Sequence, residues 1–165
     1  WSPQAAAQVA ALRDLANQQL KQRLRGDASG VYRLRFDSEL NRDTQRIESR
    51  LTFTCDPARV DELWALAQHT LAQLPEAVSA TWVVQERGQL QRQEALRRDD
   101  AQTQRRRLVL SDRQWHDPRY LSSQAALPEA IRQAPLKALA ARLFVADNQV
   151  QLRLLPTPAA AAQAL

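Results

Sequence analysis

The sequence has 165 residues, of which 44% are hydrophobic and 25% are charged, with a formal net charge of +5 at pH 7. This length and balance suit one globular domain with its own core, and they exclude an intrinsically disordered chain. No apolar run approaches the roughly 20 residues that a membrane span needs. The sequence contains no methionine, which predicts that the chain was cut from a longer one or is a mature fragment.

The first predicted element is a helix over residues 4–25. Its apolar residues are spaced by three and four positions, which places them on one face. They are Val9, Leu12, Ala16 and Leu20. Gly26 and Gly30 are expected to end this helix because glycine adopts positive φ without a steric cost.

Two stretches of alternating polarity follow, at 31–37 and 46–55. Alternation with period two predicts a pair of antiparallel strands with one polar face. On this alternation Tyr32, Leu34 and Phe36 share one side of the first strand.

Helices are predicted for most of the remaining chain. Asp56 and Pro57 suit the N-cap and first position of a second helix, and Ser79 suits the N-cap of a third. Further helices are predicted at 101–114 and 128–144.

A last strand is predicted at Gln149–Leu155, and an Ala-rich, frayed tail at 157–165. The predicted order is therefore α-β-β-α-α-α-α-β. This is an α+β fold, in which an antiparallel sheet of about three strands is covered on one face by helices. Residues 1–156 are predicted to form a single domain.

The sequence carries no zinc motif of the His-Glu-x-x-His or His-x-x-Glu-His type. Its two histidines, His69 and His116, are far apart in the sequence, and Cys55 is the single cysteine. We therefore expect no metal site and no catalytic residue in this chain.

The densest basic patch combines Arg97 and Arg98 with the run 105–107. Nucleic-acid-binding modules usually interleave such residues with exposed aromatic rings that stack on bases, and this pattern is missing here. We therefore expect no nucleic-acid partner. The competing hypothesis, a basic nucleic-acid binder, predicts binding that weakens steeply with salt.

Arg25 and Tyr32 are the candidate substrate-binding residues. A guanidinium and a phenol can together hold a peptide carbonyl or the oxyanion that forms from it. The alternative is that Tyr32 belongs to the core and Arg25 is a solvated helix end.

The order of these motifs resembles the pitrilysin (insulinase) family of zinc metallopeptidases, which includes relatives of the mitochondrial processing peptidase. The resemblance covers roughly residues 8–156. The matching residues are Leu20, Leu24 and Arg25, then Ser29-Gly30-Val31-Tyr32, the Cys-Asp-Pro-Ala-Arg-Val-Asp-Glu-Leu stretch at 55–63, and the Asn-x-Val-x-Leu-x-Leu-Leu-Pro stretch at 148–156.

This resemblance implies a metal-free C-terminal domain that forms a wall of the substrate chamber. It implies that Arg25 and Tyr32, seven positions apart, bind the substrate. It also implies that zinc is held by another domain of the parent chain, that the parent cleaves peptides or proteins, and that the protein is bacterial and periplasmic. The alternative is a non-enzymatic interaction or assembly domain of a parent that has lost its zinc motif.

The resemblance further implies that the chain begins inside the family's module and lacks its first strands. The partners we expect are then a peptide or protein substrate and the other domains of the same parent chain. A second copy of the chain could also pair with an open sheet edge.

Overall fold

The computed structural model describes residues 1–117, 123–144 and 148–155. Helix α1 spans Pro3–Leu20 and continues as a π-helical turn over Lys21–Asp27. The remaining elements are strands β1 (Val31–Leu40) and β2 (Ile47–Cys55), a 3₁₀ turn (Pro57–Arg59), helices α2 (Val60–Ala72), α3 (Leu74–Ala77), α4 (Ala80–Arg98) and α5 (Ala101–Trp115), a 3₁₀ helix (Gln124–Ala130) and helix α6 (Gln133–Leu143).

The core forms where the apolar stripe of α1 meets the inner face of the β1–β2 hairpin and the helices that follow. All four predicted stripe residues of α1 are buried. Phe36 of β1 is also buried, and its ring lies 5.7 Å from that of Phe144, centroid to centroid. Leu63 of α2 and Leu136 of α6 complete this core without measurable exposure.

Strands β1 and β2 are antiparallel, as predicted, and their register runs from Arg33↔Thr54 to Leu40↔Ile47. The polar side chains on their outer face are exposed. The register shifts by one residue between Val31 and Arg33, so β1 carries a β-bulge at its start. The α+β class is therefore confirmed, with a sheet of two strands in the described residues.

Side-chain caps set the starts of the helices where the sequence predicts them. The Asp56 carboxylate accepts a hydrogen bond from the backbone N–H of Ala58, and the Ser79 hydroxyl accepts one from that of Trp82. These bonds satisfy donors that a helix start otherwise leaves without a partner.

The helix predicted at 128–144 is two separate elements. The 3₁₀ helix ends at Ala130, Arg132 is extended (φ −128°, ψ 144°), and α6 begins at Gln133. The reason is Pro135, because a proline inside a continuous helix would clash with the carbonyl four residues earlier. In the observed arrangement Pro135 falls in the first turn of α6, where proline is tolerated.

The strand predicted at Gln149–Leu155 is wrong, since residues 149–155 have no strand structure. They are attached to α2 through an ion pair between Arg153 and Asp61 and a hydrogen bond between Gln149 and Gln68. A strand exists only when its backbone pairs with a neighbouring strand, and the sheet in the described residues consists of β1 and β2 alone. Its alternating apolar side chains are instead exposed; they are Val150, Leu152 and Leu154. The predicted tail at 157–165 lies outside the described residues.

Within the part of the chain that the structure describes, no helix combines the length and the apolar character needed to cross a lipid bilayer.

Candidate functional site

The α1–β1 connection starts with the π-helical turn at Lys21–Asp27. In a π-helix the backbone hydrogen bonds span five residues instead of four, which widens the turn, and such turns are frequent at functional sites. The backbone N–H of Ala28 donates to the carbonyl of Arg23 at 3.0 Å in this pattern. Leu24 remains in the core, and Arg25 is exposed.

The loop between the π turn and β1 has an irregular backbone. The residue with positive φ in this loop is Ser29, at 47°, and not Gly26 or Gly30 as predicted. This conformation is uncommon for a residue with a side chain. It is supported by a hydrogen bond from the Ser29 hydroxyl to the carbonyl of Gly26 (3.1 Å) and by one from the N–H of Gly30 to the carbonyl of Leu24 (3.2 Å).

Arg59, at the start of α2, ties this loop to the rest of the domain. One of its guanidinium nitrogens donates to the carbonyl of Ala28 at 3.2 Å. Two further nitrogens form a fork with the Glu62 carboxylate at 3.1 and 2.7 Å. The pKa of Glu62 is lowered by its hydrogen bonds to Arg59, and that of Arg59 is raised by the same contact. The fork thus fixes the orientation of the guanidinium that holds the loop.

Gly30 is required because the anchor lies directly against its backbone. A Cβ atom at this position would lie 2.8 Å from a terminal nitrogen of Arg59 and 2.9 Å from a methyl carbon of the buried Leu63. At Gly26 a Cβ would meet no atom within 4 Å. Gly30 is therefore needed because Arg59 and Leu63 approach its backbone closely, and not because it adopts positive φ.

The β-bulge determines where Tyr32 points. Val31 pairs with Cys55 and is buried, whereas Tyr32 is the extra residue and is 72% exposed. The prediction that Tyr32 shares the apolar side of Leu34 and Phe36 is therefore wrong, because the added residue reverses the alternation at this end of the strand. The tyrosine is a surface side chain and not part of the core.

Arg25 and Tyr32 thus lie at the two ends of one anchored loop, and both are exposed. Neither side chain forms a hydrogen bond or ion pair with another described residue. Both ends of the loop are backbone irregularities, a π turn and a β-bulge. Irregularities of this kind re-aim side chains next to binding and active sites. Arg59 and Glu62 were missed as positioning residues, although both lie in the 55–63 stretch that matched the family.

A metal centre does not fit the described residues. Across 1–117, 123–144 and 148–155, no three His, Cys, Asp or Glu side chains are grouped so that they could hold an ion. Burial raises the pKa of the Cys55 thiol, and the neighbouring Asp56 raises it further. This shift disfavours the thiolate form that a metal ligand or nucleophile requires.

Comparison with solved structures identifies the class of domain. The chain superposes on the ferredoxin protease FusC, solved in complex with an Arabidopsis ferredoxin, with a TM-score of 0.81 and 43% sequence identity over 88% of this chain. It also matches the periplasmic protease PqqL from Escherichia coli in fold, with a TM-score of 0.75 and 21% identity over 85% of this chain. The chain is a pitrilysin/insulinase-like peptidase domain, as the sequence predicted.

The chain spans 16% of the length of each of these two solved chains. No family model and no curated protein sequence matches it.

Proposed function

We propose that this chain is a non-catalytic domain of a zinc metalloendopeptidase, in which it forms part of the substrate chamber wall. The observation that carries the proposal is the match to FusC, a protease, at 43% identity over 88% of this chain. Peptide-bond hydrolysis then belongs to the whole parent protein. Zinc is supplied by another domain, since no described residues of this chain form a group that would hold it.

Arg25 and Tyr32 bind the substrate in this proposal. The guanidinium is permanently charged and donates up to five hydrogen bonds, and the phenol donates one at the end of a rigid ring. Both can donate to a peptide carbonyl oxygen, which becomes more negative as the bond is attacked. Donors fixed in advance stabilise that charge more than the neutral carbonyl. The anchor made by Arg59, Glu62 and Gly30 fixes the backbone of the loop between these two donors, and binding of the substrate completes their orientation.

The partners we propose are a peptide or protein substrate and the remaining domains of the parent chain. FusC was solved with a protein bound to it, and PqqL is a periplasmic protease. These two relatives support a protein substrate and a periplasmic location in bacteria.

The test is the kinetics of the full-length protein carrying Tyr32→Phe or Arg25→Lys. Tyr32→Phe is expected to lower kcat/KM for a peptide substrate by about 10²-fold, the usual effect of losing one oxyanion donor. Arg25→Lys is expected to lower it by about 10-fold, because lysine keeps the charge but not the fork of donors. Thermal stability should not change, because both side chains are exposed. Arg23→Lys is the matched control: it changes an arginine of the same turn that is exposed and pairs with Asp27 at 3.5 Å. It should leave kcat/KM within about twofold.

Unchanged kinetics in both variants would contradict the role of this pair. A full-length sequence without His-x-x-Glu-His upstream of this domain, together with no chelator-sensitive cleavage, would favour the alternative, an interaction or assembly domain.

A further inference from the structure

The outer face of the β1–β2 hairpin has an uneven distribution of charge. Its cross-strand pairs, starting next to Tyr32, are Arg33–Thr54, Arg35–Thr52, Asp37–Arg50 and Glu39–Glu48. All eight side chains are exposed. Three arginines and one aspartate therefore lie towards the Tyr32 end, and two glutamates lie at the opposite end, next to the turn. We call Arg33, Arg35 and Arg50 the arginine face.

Stabilising contacts within the domain explain only part of the arginine face. Cross-strand neighbours of opposite charge stabilise a sheet, and Asp37 and Arg50 form such a pair, yet Arg33 and Arg35 lie opposite threonines. Asp37 accepts a hydrogen bond from Arg35 at 2.5 Å and is the single carboxylate among these three arginines. Arg33 and Arg50 form no ion pair with a described residue. The three guanidinium groups repel one another and leave unused donors facing solvent.

The position of the arginine face connects it with the proposed substrate site. Arg33 follows Tyr32 directly in β1, and Arg50 lies opposite Asp37, four residues further along the strand. At about 3.3 Å per residue, the face extends about 13 Å from Arg33 along the hairpin. A substrate held at Arg25 and Tyr32 that continues along β1 would pass over these arginines within about four residues of the bound carbonyl.

We propose that the arginine face binds a short acidic segment of the protein substrate, next to the bond that is cleaved. The inference rests on the proposed function, because it takes the occupant to be the substrate of the parent peptidase. Carboxylates are the natural partners of guanidinium groups, which bind them through paired hydrogen bonds. Alternate residues of an extended peptide point to the same side with a spacing of two residues, as do Arg33 and Arg35 on β1.

The far end of the hairpin sets the length of that acidic segment. Glu39 and Glu48 lie opposite each other, and the Glu48 carboxylate accepts hydrogen bonds from Asn41 and Thr44, both at 3.1 Å. Negative charge therefore follows the arginines along the same face. This favours two or three acidic residues in a peptide and disfavours nucleic acid, because a continuous phosphate backbone would be repelled by the two glutamates.

The experiment compares two quenched fluorescent peptides that share one cleavage sequence and differ only in flanking Glu or Gln residues. The full-length protein is expected to cleave the Glu peptide with a KM about tenfold lower than that for the Gln peptide. In Arg33→Gln/Arg50→Gln this preference should disappear, while kcat for the Gln peptide stays the same. Each exposed charge pair contributes only about a threefold effect, so the double variant is needed. Raising NaCl should weaken the preference of the wild type in the same way.

Arg98→Gln is the control because Arg98 is also exposed, at 80%, but lies at the end of α4 and away from the hairpin in the sequence. It should keep the preference for the Glu peptide. Equal KM values for both peptides in the wild type, or an unchanged preference in the double variant, would overturn the inference.

Binding assays separate this inference from the proposed function. If the full-length protein cleaves neither peptide, the proposed function fails. Fluorescence anisotropy with labelled Glu and Gln peptides then still tests the arginine face. Arginine-dependent binding of a labelled single-stranded oligonucleotide that is tighter than binding of the Glu peptide would assign the surface to nucleic acid instead and overturn the inference.

Discussion

Replacing Gly30 by alanine tests the anchored loop most directly. The added Cβ would lie 2.8 Å from an Arg59 nitrogen and 2.9 Å from a Leu63 methyl carbon. Arg59 can move only by giving up its bond to the Ala28 carbonyl, and Leu63 is fully buried. Overpacking of this kind costs about 1–3 kcal/mol, and the lost hydrogen bond adds about 1 kcal/mol.

Gly26→Ala is the control because it makes the same chemical change without a clash. No atom lies within 4 Å of its Cβ position, and Gly26 does not have positive φ. Both substitutions reduce the entropy of the unfolded chain, which stabilises the folded state by about 0.5–1 kcal/mol in each case. That contribution cancels when the two variants are compared. Gly30→Ala should therefore be less stable than Gly26→Ala by about 2–4 kcal/mol.

The assay is urea unfolding of both variants of the 165-residue chain at 25 °C. With a denaturant dependence of about 2 kcal/mol per molar, the two midpoints should differ by about 1–2 M. Equal midpoints would show that Arg59 and Leu63 do not press against Gly30. The loop would then not be held by this close approach.

Three further outcomes follow from charged and reactive side chains. Burial raises the pKa of Glu86, and Asp14 raises it further, so the ionised form of Glu86 destabilises the folded chain as the pH rises above about 4. Glu86→Gln should therefore raise Tm at pH 7 and have little effect on Tm at pH 4. An equal gain in Tm at both pH values would contradict this prediction. Glu94 is 9% exposed and binds the largely buried Arg107 at 2.6 Å. Glu94→Ala should therefore lower the free energy of unfolding by about 3 kcal/mol. A loss under 1 kcal/mol would show that this ion pair does not hold α5 against α4. Because the pKa of the Cys55 thiol is raised, a disulfide reagent should label Cys55 at pH 8 more slowly than it labels a cysteine in an unstructured peptide. Equal labelling rates would show that burial does not suppress the thiolate of Cys55.

Features governed by local contacts were predictable from the sequence. The α1 stripe, the alternation of the two strands, and the caps at Asp56 and Ser79 depend on residues a few positions apart. The single helix predicted at 128–144 was wrong, although the local sequence held the reason, because Pro135 forbids a continuous helix at that point. Such features need no knowledge of the tertiary structure.

The missed features depend on contacts that the local sequence does not specify. Tyr32 points outward because one extra residue is accommodated at the start of β1. Ser29 has positive φ in a loop that Arg59, 30 positions later, holds in place. The strand predicted at 149–155 has the right pattern of side chains, but pattern alone does not supply a pairing partner. Arg25 and Tyr32 were singled out from the chemistry of their side chains, and the family resemblance supplied the functional meaning of their seven-residue spacing.

The segment at 148–155 also bears on how the chain behaves at high concentration. Val150, Leu152 and Leu154 are 90–101% exposed, although polar contacts of Arg153 and Gln149 attach the segment to α2. Aliphatic side chains exposed at alternate positions of a segment outside the sheet are an arrangement that favours intermolecular β-association and aggregation. A lysine in place of Leu152 would interrupt that row and act as a gatekeeper, making the purified chain easier to keep dispersed.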